Sequence, residues 1–225
     1  MIGFHTAFIA QFFFGTILCS KPFFWQAAPI LIGGSFLTLA GLSLYIGSSK
    51  GKYPGLLAAS QRSGFLLLAG MLITWATYLF DFGGRIYFGV LHCIGLCTFI
   101  SFFLLRLPKY FVLVSGVLII TLGMYWQRML SPCWSTSLFW LYPCSCPALG
   151  LMFDYYPLIP WLGFMFIGIL VGKQYYPQGT RAFSPMRLAG YPSWVRGLAL
   201  IGRHSLLIYF VHQPIIYAIL YLMNQ

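Results

Sequence analysis

The chain has 225 residues, of which 60% are hydrophobic, 20% aromatic and only 7% charged. A soluble domain carries about 25% charged residues, so the composition excludes an ordinary soluble fold and fits one all-α integral membrane domain over residues 1–225. The net charge of +11 would suit a nucleic-acid partner, but the basic residues stand between apolar runs, as topology signals do, and nucleic acid is excluded as a partner.

Hydropathy read in chain order predicts a polytopic bundle of about seven spans. Residues 1–20 form a first, short span holding His5 and Gln11, ended by Lys21-Pro22. With no basic region ahead of it, this span does not read as a cleaved signal peptide. The second span covers about 27–47, where Gly33-Gly34 and Gly41 offer close helix contact. A polar loop around Lys50, Lys52 and Pro54 comes next, and Arg62 opens the third span, about 63–80. Asp81-Phe82-Gly83-Gly84-Arg85 reads as a tight turn, with Asp81 paired to Arg85. The fourth span, about 86–105, contains His92. After the Arg106-Leu107-Pro108-Lys109 turn comes the fifth, about 110–128. A Cys/Pro/Trp-rich loop over 129–153 leads to Asp154 and a sixth span, about 157–172, whose Gly168 and Gly172 are spaced for helix contact. A basic loop, 173–200, precedes the last span.

That last span opens on Gly202-Arg203-His204-Ser205 and carries His212-Gln213-Pro214. It places Arg203 and His204 at a membrane edge and His212 about 12 Å further along the axis. A titratable group at that depth is a functional-site candidate by default. Pro214 cannot donate a backbone hydrogen bond and disturbs the carbonyl of Phe210, so a kink is expected beside His212.

The loops after the second, fourth and sixth spans, with the edge of the seventh, hold 10 Lys and Arg residues, against 3 in the loops after the first, third and fifth. This bias puts the N-terminus in the cytoplasm and the C-terminus outside, in a plasma (inner) membrane. It puts Asp81 and Asp154 on the outer side. Counting from Ile86, His92 lies about 9 Å below the outer edge, and His212, counting back from Leu222, about 15 Å below it. The two histidines are therefore expected to converge with Asp154 on one outward-facing cavity.

Of the six cysteines, Cys19, Cys93 and Cys97 lie in apolar segments, and Cys133, Cys144 and Cys146 share one loop, where one bridge is open to them in an oxidising compartment. Cys93 and Cys97 are one helical turn apart beside His92, but no second ligand cluster accompanies them. They read as packing residues, and no metal is expected.

Four stretches together resemble one known group. Phe88-Gly89-Val90-Leu91-His92 resembles its Phe-Gly-Ile-Leu-His motif. Asp154-Tyr155-Tyr156-Pro157-Leu158-Ile159-Pro160-Trp161 resembles its Asp-Tyr-x-Pro-Leu-x-Pro-Trp motif. The run from Gly202 to Pro214 resembles its closing Gly-Arg-x-Ser-Leu-x-Ile-Tyr-x-x-His-Gln-Pro. Leu39-Ala40-Gly41-Leu42-Ser43-Leu44 is similar to its second-helix Ser-Gly-x-Ser. The group is the prokaryotic branch of the heparan-alpha-glucosaminide N-acetyltransferase-like membrane proteins, within the wider transmembrane acyltransferases.

The resemblance implies a multi-helix bundle that takes an acyl group from acyl-coenzyme A, acetyl-CoA above all, on the cytoplasmic side. It implies delivery to an acceptor, often a sugar, on the far side. Its partners would be the lipid bilayer, acyl-CoA and a carbohydrate or other small acceptor, with a homodimer left open. Family members carry a Leu-Arg-Gly stretch ahead of the first-helix histidine. This sequence opens Met1-Ile2-Gly3-Phe4-His5 and reads as N-terminally shortened or started out of place. The animal enzymes use a histidine in the non-cytoplasmic region before the Asp motif, and here no histidine stands between His92 and His204.

Acyl transfer needs a base, often a nucleophile, beside groups that stabilise an oxyanion. The candidates are His212, His92 and His5 as base or nucleophile, Asp154 to orient a histidine or the acceptor, and Arg203 for the phosphates of acyl-CoA. The bland readings are interhelical hydrogen bonds for the histidines and, for Asp154, a cap on the next helix in the chain. The alternative function is a non-enzymatic multi-pass protein, a small transporter or lipid-binding subunit, using the same intramembrane histidines.

Overall fold

The computed structural model describes residues 1–17, 20–53, 55–80, 84–129, 136–143, 150, 152–180 and 192–223. Cys19, Asp81, Cys133, Cys144, Cys146, Arg181 and Arg187 lie outside the described residues.

The chain is all-α. Eight helices are seen among the described residues: α1 (Ile2–Phe14), α2 (Pro22–Ser49), α3 (Leu56–Leu79), α4 (Val90–Leu104), α5 (Lys109–Met129), α6 (Leu158–Tyr175), α7 (Ser193–Arg203) and α8 (Ser205–Met223). Helices α2, α3, α5, α6 and α8 are long and apolar enough to cross a membrane, and α1 and α4 are shorter apolar helices. These seven match the spans expected from hydropathy. Inside a hydrocarbon layer only structures that satisfy their own backbone groups survive, which is why an apolar chain of this kind becomes helices throughout.

The chain divides into two compact units. Residues 1–32 with 184–225 form the first, and 33–183 the second; the boundary falls inside α2. In the first, α1 packs against α8, with Phe13 edge-on to Tyr217 at 5.5 Å between ring centroids. In the second, α5 packs on α6, α3 on α4 and α4 on α6.

The second half of α2 meets α6 through glycines. A Cβ at Gly41 would collide with the Met165 carbonyl oxygen, and a Cβ at Gly168 with that of Thr38. Thr38 Oγ1 donates to the Phe164 carbonyl at 3.3 Å across the same contact. Lipid supplies no hydrophobic drive between helices, so approach of backbones over small residues, with polar side chains as links, holds such pairs. Much of what remains apolar, such as Leu68, Leu72 and Val114, is exposed, as a lipid-facing surface requires.

Three local expectations change. The fourth helix begins at Val90, not near Ile86, because residues 85–88 pair with residues 152–156 instead of coiling. The last span does not start at Gly202: α7 ends at Arg203, His204 turns, and α8 starts at Ser205. The stretch read as the end of a basic loop is thus a helix. The helix α8 continues through Pro214.

Candidate functional site

The segment before α6 reaches the head of α4 by backbone pairing. The Phe153 amide donates to the Arg85 carbonyl at 3.2 Å and the Tyr156 amide to Phe88 at 3.0 Å. Behind it, Leu158 and Ile159 donate to the carbonyls of Trp140 and Leu141 at 2.7 and 2.9 Å, and the Tyr155 hydroxyl donates toward Phe139 and Tyr142. This knitting carries Asp154 to the start of α4.

There Asp154 Oδ2 accepts from the Val90 amide at 3.0 Å. The residue therefore caps α4, not α6, the next helix after it in sequence. A carboxylate suits that place, since the first amides of a helix lack intrahelical partners and carry its positive end. The preceding amide, Gly89, donates to His92 Nδ1 at 3.3 Å. Two successive N–H groups are thus shared out between the two candidate residues, and a Cβ at Gly89 would strike the Asp154 carboxylate.

His92 is buried, with 5% of its surface exposed. Its ring stacks on Phe88, centroids 5.6 Å apart, and lies over Gly70, where a Cβ would come within 2.8 Å of it. A backbone amide only donates, so Nδ1 accepts and the ring carries its proton on Nε2. That Nε2 is buried with no hydrogen-bond partner. His92 therefore offers a donor and not a lone pair. Because the helix starts at Val90, it sits in the first turn of α4, shallower than its count from Ile86 implied. Tyr156 stands close by, its phenol pushed well up from its ordinary value by burial and then by Asp154, which keeps it protonated. Cys93 and Cys97 are fully buried with sulfurs 3.7 Å apart, as packing residues are. Among the described residues no three His, Cys, Asp or Glu side chains are grouped for a metal.

The first unit holds the other histidines. His212 is buried in α8 at 7% exposure. Its Nδ1 lies 3.0 Å from the Ile208 carbonyl oxygen and 2.7 Å from that of Tyr209. Carbonyl oxygens only accept, so Nδ1 carries the proton and neutral His212 has its lone pair on Nε2. That atom too is buried without a hydrogen-bond partner. The ring of His5, on α1, meets it edge to face at 4.9 Å between centroids. The Gln213 side-chain amide donates to His5 Nδ1 at 3.1 Å, which ties α1 to α8 and leaves the His5 proton on Nε2. Arg203 ends α7 and is exposed, as is His204 in the turn.

The structure therefore groups His5 with His212 and His92 with Asp154. The two buried histidines differ in the polarity they present: a lone pair at His212 Nε2 and an N–H at His92 Nε2. Gln213 was visible in the sequence as half of a polar pair; its link to His5, far off in the chain, was not. Gly89 stood in the Phe-Gly-Ile-Leu-His resemblance with no role of its own, and Gly70 gave no signal beyond being a glycine.

Residues 1–214 match the heparan-alpha-glucosaminide N-acetyltransferase catalytic family. The chain belongs to it. Comparison with curated proteins and with solved structures gives no match. Membership gives this chain of apolar helices the character of a membrane acetyltransferase. His92, Asp154 and His212 all fall inside the matched span, which crosses both units.

Proposed function

We propose that this member of the heparan-alpha-glucosaminide N-acetyltransferase family transfers an acyl group, acetyl foremost, from acyl-CoA to a hydroxyl or amine of a sugar or other small acceptor across the membrane. The family match over 1–214 carries the reading, and the Lys and Arg distribution is what favours a plasma membrane with the N-terminus inside.

His212 is assigned as the base because its Nε2 lone pair is buried and uncommitted. The acceptor's O–H or N–H proton passes to Nε2 as its heteroatom bonds to the thioester carbonyl carbon. The C–S bond then breaks, and the proton returns to the departing thiolate to give free coenzyme A. The Nδ1–H bonds to Ile208 and Tyr209 steady the imidazolium formed in between. Contact with His5 fixes the ring's angle. In the other unit, His92 presents a buried Nε2–H, and Asp154 holds the helix start on which it stands. Arg203, exposed at the end of α7, is assigned to the donor's phosphates.

The test is free-thiol release by the purified protein in proteoliposomes given acetyl-CoA on one face and glucosamine on the other. Release that needs both substrates, and acetylated acceptor recovered in equal amount, is expected. Acetyl-CoA binding without turnover for any amine or alcohol acceptor would replace this reading with the non-enzymatic one.

A further inference from the structure

Helix α7 is the only one of the eight described helices with no buried residue. Trp194, Leu198 and Ile201 have the i, i+4, i+7 spacing that puts side chains on one helix face. They are 66%, 58% and 56% exposed, so no protein covers that face among the described residues. Arg196 and Arg203, also seven apart, project about 180° away at 100° per residue. Leu200 lies off the apolar stripe.

Its junction with α8 fixes the position of this helix. A single residue, His204, separates the two, and the turn is closed by His204 N–H to the Ile201 carbonyl at 3.1 Å and Ile208 N–H to the His204 carbonyl at 3.0 Å. Helix α8 is a 19-residue apolar span, so its first residue stands at a bilayer boundary, and the end of α7 stands there with it. A helix with two arginines on one face cannot enter the hydrocarbon. A helix with Trp, Leu and Ile on the other is costly in water.

We infer that α7 lies in the plane of the bilayer interface, with Trp194, Leu198 and Ile201 in the acyl boundary and Arg196 and Arg203 in the phosphate layer. Its occupant is the lipid surface itself. This is the arrangement of interfacial amphipathic helices, and tryptophan is enriched at that depth. The same contact sets the depth of α8: His212 stands seven residues beyond Ser205, about 11 Å along the axis. Helix α7 thus acts as a float that holds the candidate base at a constant level, with its arginines turned to the side from which an anionic donor arrives.

Nitroxide labels on single cysteines at positions 194, 196, 198, 201 and 203 test this. They are placed in the full chain lacking its native cysteines and reconstituted in phosphatidylcholine–phosphatidylglycerol vesicles. Dissolved oxygen should relax the labels at 194, 198 and 201 several-fold more than those at 196 and 203. A water-soluble nickel chelate should give the reverse order. Shielding of 194, 198 and 201 from both agents would show the face covered by protein, and equal chelate access at all five would place α7 in water; either overturns the proposal. Should labelling disturb folding, the parent protein gives a second reading. Lipids brominated near the headgroup should quench its tryptophan emission, and Trp194→Phe should lose part of that quenching. Unchanged quenching in that variant overturns the proposal as well. Neither readout needs acyl transfer, so failure here is distinct from failure of the proposed activity.

Discussion

His5 and His212 stand on helices from opposite ends of the chain, yet their rings meet edge to face at 4.9 Å between centroids. Only His212 presents a buried lone pair, because its Nδ1 proton is held by two carbonyls of its own helix. Removing a positioned base costs about 10²–10⁴-fold in rate, so His212→Ala should lose that much coenzyme A release while still inserting in the membrane. His5→Ala should lose less, and the double variant should be no slower than His212→Ala alone. Losses that multiply in steady-state rates would give His5 a role of its own.

His92 differs in polarity, and its variants should differ too. Buried and tied to the Gly89 amide through Nδ1, His92 helps hold the head of α4, and loss of one such hydrogen bond costs about 0.5–1.5 kcal/mol. His92→Ala is expected to lower the unfolding temperature in detergent. His92→Gln, whose side-chain oxygen can accept from that amide, should recover part of it. An unfolding temperature for His92→Ala equal to the parent's would sink this role.

Asp154 is expected to act through the start of α4. Asn retains an acceptor for the Val90 amide, so Asp154→Asn should keep most of the rate. Asp154→Ala leaves that amide without its cap, a loss of about 0.5–2 kcal/mol, to be read as a lowered unfolding temperature in detergent. Gly89→Ala should be at least as damaging, since its methyl meets the carboxylate.

The α2–α6 contact should be intolerant of volume. Gly168→Leu forces a side chain against the Thr38 carbonyl, and overpacking of this kind costs about 1–3 kcal/mol, occasionally more. Thermal unfolding of the variant should fall clearly below that of a lipid-facing control such as Leu72→Ala.

Orientation rests on the distribution of Lys and Arg, 10 against 3. A reporter active only outside the cytoplasm, fused after Gln225, should be active. Activity of a strictly cytoplasmic reporter at that point would reverse the topology.

The sequence by itself determined the all-α class and the run of apolar helices, because long apolar runs leave helix as the simplest way to satisfy the backbone in lipid. It also determined the family, through motifs around His92, Asp154 and His212, and it marked Gly41 and Gly168 as contact points, because small residues are what let backbones approach. It missed α7, although Trp194, Leu198 and Ile201 carry a helical period; Arg196 and Gly197, between them, read as loop.

Only the tertiary structure decided what each polar residue meets. Asp154 lies just ahead of α6 in sequence, but pairing of 152–156 with 85–88 turns it onto α4. The polarity of each histidine rests on which atom its Nδ1 meets, a backbone amide for His92 and carbonyls for His212. Hydropathy and spacing hold no record of either, since both depend on how the chain's backbone groups are used up in space.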